Sequence, residues 1–180
     1  MTRRALLLAH TGRHGAIDYA RRAYAELVAA NFAVDVLESE ASELDLPNAR
    51  PVSSAAAGTE IVVALGGDGT VLRGAEAARL GHVPLLGVNL GRMGFLTSAE
   101  AEDLDEVLAR IVNRDYHTTQ RMTVDVIISR AGGESAESNT QWALNEASLE
   151  RAPGSPMMEV LLAVDGQPVS RWGCDGVVCS

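Results

Sequence analysis

The chain has 180 residues, enough for one or two domains with a real core. A hydrophobic content of 47% with 17 glycines fits a globular α/β protein. A net charge of −9 and a pI of about 4.9 argue against nucleic acid or an anionic membrane as the main partner, but leave room for a small anionic ligand held by local donors.

The start Met1-Thr2-Arg3-Arg4 is basic, but the apolar run at 5–9 is too short for a signal peptide, and no run approaches a membrane span. That run reads as a first buried strand, and His10-Thr11-Gly12-Arg13-His14-Gly15 as the loop leaving it. His10, Thr11, Arg13 and His14 are either phosphate-contacting or a solvated polar turn. A helix is expected over 16–30, with Ile17, Ala20, Tyr24, Leu27 and Val28 on its buried face. A second strand over 32–37 completes a right-handed β-α-β unit. Residues 38–58 lack periodicity and read mostly as loop, with Glu38, Glu40, Glu43 and Asp45 as a solvated face.

Ile61-Val62-Val63-Ala64-Leu65 then runs into Gly66-Gly67-Asp68-Gly69-Thr70. The apolar run reads as a strand buried on both faces. The glycines can take positive φ and admit close approach of another molecule. Thr70 can cap the helix over 71–80, whose Val71, Leu72, Ala75 and Ala78 face the sheet, with Gly81 as its C′ residue. Asp68 thus stands at a strand's carboxyl end beside a helix start, where open α/β sheets bind ligands. A carboxylate there suits proton acceptance or metal binding better than phosphate binding. The plainer alternative is a tight turn with a solvated Asp.

A fourth strand over 84–88 feeds a second glycine-bearing loop, Asn89-Leu90-Gly91-Arg92-Met93-Gly94-Phe95-Leu96. In a parallel sheet both loops open onto one edge and form one cleft. Ser98 can cap a helix over 101–113, buried through Leu104, Val107, Leu108 and Ile111. After Tyr116 the pattern becomes strands only, near 122–128, 141–149, 157–164, 169–174 and 177–179. Residues 131–134 read as a turn, and Asp165-Gly166 as a hairpin turn. The expected architecture is an N-terminal Rossmann-like parallel α/β domain, residues 1–117, followed by part of an antiparallel β-rich domain, residues 118–180. Cys174 and Cys179 would lie on opposite faces of a strand, so reduced thiols and a cytoplasmic location are expected. Asn145-Glu146 interrupts an alternating strand, and Asp175 sits between Gly173 and Gly176.

Gly66-Gly67-Asp68-Gly69-Thr70, the segment 87–96, Ala143-Leu144-Asn145-Glu146 and Cys174-Asp175-Gly176 together resemble the bacterial NAD kinase family, in order and spacing, over essentially the whole chain. The first motif is shared with lipid kinases and phosphofructokinases; the second loop and the Asn-Glu pair select NAD kinase. The resemblance implies phosphoryl transfer from ATP or polyphosphate, with Mg²⁺ or another divalent cation, to the adenosine 2′-hydroxyl of NAD. It implies Asp68 as general base, Gly69 and Arg73 against the nucleotide, Asn145 and Glu146 on the adenosine, and Asp175 on the dinucleotide, from the same or a neighbouring subunit. It also implies a homodimer or homotetramer. The family pattern would continue beyond Ser180 into a Thr-Pro-Thr-Gly-Ser-Thr-Ala-Tyr segment. The chain is therefore expected to be a C-terminally truncated member, with unpaired strand edges and exposed apolar surface in its second domain. The alternatives are a lipid kinase sharing the glycine loop and a non-catalytic nucleotide-binding fragment.

Overall fold

The computed structural model describes residues 2–12, 15–55, 58–91, 94–129 and 139–180. The expected positions of Arg13, His14, Arg92, Met93 and the turn at 131–134 lie outside the described residues. Two compact units, Met1–Thr119 and Gln120–Ser180, are described in turn.

The first unit is a parallel six-stranded sheet. Its strands are β1 (Arg3–Ala9), β2 (Phe32–Leu37), β3 (Arg50–Val52), β4 (Ile61–Gly66), β5 (Leu85–Asn89) and the short β6 (Ala99–Glu100). Their order is β3-β2-β1-β4-β5-β6, the doubly wound arrangement that reverses direction between β1 and β4. The expected α/β class is thereby met. β1 is covered on both sides: Ala5, Leu7 and Ala9 belong to one core, Leu6 and Leu8 to the other. Alternate residues point to opposite faces, so an unbroken apolar run is what a doubly covered strand requires.

Among the described residues, four helices clothe the sheet: α1 (Ala16–Ala29), α2 (Glu38–Leu44), α3 (Asp68–Gly81) and α4 (Leu104–Asn113). Leu27, Leu44, Leu104, Leu108 and Ile111 bring α1, α2 and α4 to the first core, while Ala77 and Ala78 bring α3 to the second. Val28, expected to be buried, is 43% exposed. The α1 face turns instead through Ala16, Ala20, Ala23 and Leu27. α3 differs similarly from expectation. It begins at Asp68 with Gly67 as N-cap, so Thr70 is an interior residue rather than a cap. Its buried face is Thr70, Val71, Gly74, Ala77 and Ala78, and Leu72 points outward. Glycine drives that rotation: a Cβ on Gly74 would meet Leu85 at 2.9 Å and Ala64 at 3.2 Å, so its absence lets the helix lie close on β4 and β5 here. Gly81 is the last helical residue, and His82 takes the left-handed C-cap position.

Residues 38–44, expected as loop, form α2, and Glu40 is buried within it rather than part of a solvated face. Ser98 caps nothing. It precedes β6 and a 3-10 turn, Ala101–Asp103, where Glu100 and Asp103 form a capping box ahead of α4. Asp35, in the middle of β2, is fully buried and neutralised by Arg4 (2.6 Å) and Arg50 (2.9 Å).

Arg3 fastens the opposite edge of the unit. Its guanidinium donates to both Glu60 oxygens (2.8 and 2.6 Å) and to the orphan carbonyls of Ile111 and Val112 at the end of α4, and lies 4.2 Å over the Phe32 ring. The hydrogen bond from Arg3 holds the Glu60 carboxyl below its usual range, outweighing partial burial. A depressed native value means the stabilisation is complete above the ordinary carboxylate pKa of about 4.3 and is lost as pH falls below it. Glu60→Gln is therefore expected to lower stability by about 1 kcal/mol at pH 7, a few degrees in Tm, and the gap should narrow as pH falls below about 4.3. Thermal melts of both proteins from pH 7 to pH 3 check this; a gap that does not narrow over that range contradicts it.

The second unit consists of antiparallel pairs, as expected. β7 (Val124–Ile128) pairs with β8 (Asn139–Ala143), β9 (Ala147–Glu150) with β12 (Gly176–Cys179), and β10 (Met158–Val164) with β11 (Gln167–Cys174). Asp165 and Gly166 both take positive φ, as a two-residue hairpin turn needs. Leu149, Leu161, Val164, Val169, Trp172 and Val178 are all more than half exposed. The strand expected across 141–149 breaks between Ala143 and Ala147, so Asn145 and Glu146 occupy a bend rather than a strand. Cys174 and Cys179 are free thiols.

Candidate active site at the sheet switch point

Where a doubly wound sheet reverses, the loops after the two central strands diverge and leave a crevice at the carboxyl edge. Here those loops follow β1 and β4. His10, Thr11 and Gly12 from the first, with Gly69, Thr70 and Arg73 from the second, line a cleft of about 380 Å³.

Asp68 stands at the first position of α3, and its carboxylate is held from the loop after β5. The Phe95 N–H donates to Oδ2 at 3.1 Å and the Leu96 N–H to Oδ1 at 3.0 Å. Each oxygen keeps a further lone pair for another donor. Gly94 makes this approach feasible, since a Cβ there would lie 2.6 Å from Asp68 Oδ1. The loop is itself anchored. The buried Asn89 side chain donates to Glu100 at 2.8 Å and accepts from the Gly91 N–H at 3.2 Å, and the Leu90 N–H bonds the Gly66 carbonyl at 3.0 Å.

The glycines of the first loop act differently from expectation. Among Gly66, Gly67 and Gly69 none takes positive φ. Gly66 is required by contact: a Cβ would fall 2.3 Å from Thr70 Oγ1 and 2.8 Å from Thr70 Cβ. Gly67 and Gly69 face open space instead. The Thr70 hydroxyl is buried without a hydrogen-bond partner among the described residues. Gly66→Ala is thus expected to lower stability by about 1–3 kcal/mol through overpacking. Gly69→Ala should leave Tm unchanged or raised, since alanine is the better helix residue, yet weaken any ligand that fills the cleft. Melting curves together with nucleotide titration separate the two; equal losses of Tm contradict the contact argument.

Arg73 lies on the cleft, its side chain 44% exposed, paired with Glu40 at 2.5 Å. Among the residues singled out in the sequence, His10, Gly69 and Arg73 line one cleft, and Asp68 directly precedes Gly69 at the start of α3. Asn145, Glu146 and Asp175 belong to the second unit. Asn145 and Glu146 are exposed in their bend. Asp175, between β11 and β12, receives the Arg151 guanidinium on its carboxylate and the Arg151 N–H on its carbonyl at 3.0 Å. Glu150, Arg151, Pro153, Gly154, Asp175 and Gly176 line an open hollow of about 660 Å³. Sequence reasoning missed Glu40, Gly94 as a contact residue, and Arg151. The first was hidden in a stretch without periodicity; the others show only through long-range contacts.

No three His, Cys, Asp or Glu residues among the described residues group into a metal site, and no described helix is long and apolar enough to cross a membrane. Magnesium usually keeps several waters and takes one or two carboxylates plus substrate phosphates. Asp68, with lone pairs left over, fits that donor set as a single ligand.

This fold and cleft define a doubly wound α/β protein with a glycine-lined ligand crevice. Comparison with known proteins is more specific. The model of the ATP-NAD kinase N-terminal domain matches residues 6–116, so the chain belongs to the ATP-NAD kinase family. It is 48% identical to the NAD kinase of Thermobifida fusca, over 99% of this chain and 57% of that protein. It is 49% identical to NAD kinase 2 of Streptomyces coelicolor, over 99% and 60%. The chain thus spans about three-fifths of the length of these curated relatives. In fold it is similar to the crystal structure of yeast NADH kinase complexed with NADH, with a TM-score of 0.81 at 22% identity, over 98% of this chain and 57% of that one.

Proposed function

We propose that this chain carries the catalytic loop of an NAD kinase and transfers the terminal phosphoryl group of ATP, or of polyphosphate, to the adenosine 2′-hydroxyl of NAD, giving NADP. The observation that carries the reading is the Asp68 carboxylate, held by two backbone amides and directly preceding Gly69, which lines the cleft of about 380 Å³. An alcohol is a weak nucleophile, and a carboxylate within hydrogen-bond reach supplies what it lacks. Asp68 accepts the 2′-hydroxyl proton while that oxygen bonds to the terminal phosphorus of the donor. The bond from phosphorus to the bridging oxygen breaks, and ADP, or a polyphosphate shortened by one unit, leaves. Gly69 and Arg73 contact the nucleotide, Asn145 and Glu146 hold the adenosine, and Asp175 contacts the dinucleotide. A divalent cation on the donor phosphates would neutralise their charge.

In this proposal residues 1–117 form the catalytic α/β domain and residues 118–180 contribute the substrate-holding β-rich part. Assembly as a homodimer or homotetramer and a cytoplasmic location belong to the same proposal. The lipid-kinase alternative is set aside, because the matching family is the NAD kinase one. The test is NADP formation from NAD, ATP and Mg²⁺, by this chain and by this chain joined to the C-terminal remainder of the Thermobifida fusca relative. NADP from either supports the reading. NAD binding without NADP from both leaves a nucleotide-binding protein, and neither binding nor turnover overturns the assignment.

A further inference from the structure

We propose that Glu40 is a positioning residue: it fixes the Arg73 guanidinium at the mouth of the switch-point cleft, where the remaining N–H groups of Arg73 meet a phosphate of the nucleotide. Along a strand, successive residues turn their N–H and C=O groups to opposite sides. The His10 N–H bonds Leu65 in β4, so the backbone groups of Ala9 face the β2 side. There the pairing of β1 with β2 ends at Leu7 and Val36, because the chain turns into α2 at Glu38. The Ala9 N–H and carbonyl are therefore left without a strand partner, and buried backbone groups need partners. Glu40 and Arg73 supply them. Glu40 Oε2 accepts the Ala9 N–H at 2.9 Å, and Arg73 Nη2 reaches the Ala9 carbonyl at 3.5 Å. Glu40 Oε1 accepts from Arg73 Nη1 at 2.5 Å, which closes the ring.

The two partners differ in a telling way. The Glu40 side chain is 3% exposed, whereas that of Arg73 is 44% exposed and lines the cleft. A carboxylate is buried at a cost unless paired and hydrogen-bonded, and both oxygens here are used. The guanidinium has five N–H donors, more than these contacts consume. One edge of Arg73 is thus clamped from below while the other is presented to the cleft between the β1 and β4 loops. A flexible cation becomes a preorganised one, which is what planar recognition of phosphate needs. The phosphate half of this inference rests on the NAD kinase reading; the clamp itself does not.

Two measurements on the 180-residue chain test it. In Glu40→Gln the amide oxygen can keep the Ala9 N–H bond, but the amide NH₂ then faces Arg73 donor to donor. Phenylglyoxal modification of Arg73, followed by mass spectrometry, should run several-fold faster in Glu40→Gln than in the parent. An unchanged rate overturns the clamp. If Glu40→Gln does not fold, Glu40→Asp carries the same test, because its shorter side chain cannot span both partners. Calorimetric titration with NAD and with inorganic tripolyphosphate then compares Glu40→Gln, Arg73→Met and the double variant. Each single change should weaken at least one of these ligands about tenfold, with the double variant no weaker than Arg73→Met. A double variant about 100-fold weaker shows that Glu40 acts independently of Arg73 and overturns the proposal. No effect of Arg73→Met, or no binding by the parent, overturns the phosphate contact. Absence of NADP in the assay above defeats the functional reading alone, since the modification rate judges the clamp regardless.

Discussion

Asp68→Asn is expected to lower NADP formation by about 10²–10⁴-fold, the usual contribution of a positioned base, while moving Tm by no more than a few degrees. The two numbers separate for a structural reason. Asparagine keeps the size of the side chain but loses the proton-accepting charge and one of two acceptor oxygens. Phe95 and Leu96 both donate to this side chain, so one N–H must face an amide NH₂ in the variant. The backbone around Phe95 is at the surface, with that side chain 97% exposed, and water can take over the displaced N–H. Stability therefore changes little, because nothing buried is left unpaired, whereas the chemical step loses its base. Steady-state kinetics and melting curves on both proteins give the comparison. A variant that retains more than about a tenth of the parent turnover removes Asp68 from the role of base.

Much of this architecture was legible in the sequence because burial on two faces leaves a plain signature. The runs at 5–9 and 61–65 are apolar at every position, and only a strand covered on both sides accepts that pattern. The strand-glycine-helix junction at Asp68 was equally plain, since turn chemistry is local. What escaped notice depends on partners distant in the chain. Glu40 sits in a short acidic helix whose polar sequence reads as solvent-facing; only the early departure of β2 from β1 draws its carboxylate inward. Asp35 reads as an interruption in a strand until Arg4 and Arg50 close over it. The face of α3 was misjudged by about one residue because periodicity counts apolar side chains, and Gly74 packs by having none. The same blindness affected Gly66, read as a residue needed for its backbone freedom when its role is the space it leaves for Thr70.

Gly94→Ala is the sharper test of how the site is held, and it is expected to reduce turnover by about 100-fold with little change in Tm. The added methyl would sit 2.6 Å from Asp68 Oδ1 and 3.2 Å from Thr97 Oγ1. Carbon cannot approach a carboxylate oxygen that closely, so either the carboxylate swings away or the loop withdraws its Phe95 and Leu96 amides. Both responses displace the base by a few tenths of an ångström or more, and a misplacement of about 1 Å can cost roughly 10²-fold in rate. Stability is spared because the anchor of the loop lies elsewhere, in the buried Asn89 and its bonds to Glu100 and Gly91. The effect should therefore vanish in an Asp68→Asn background, where there is no base left to misplace. If Gly94→Ala and Asp68→Asn instead multiply their losses, Gly94 serves the substrate directly and the amide clamp is not what orients Asp68. If Gly94→Ala retains full turnover, the loop yields freely and the two amides do not fix the carboxylate at all.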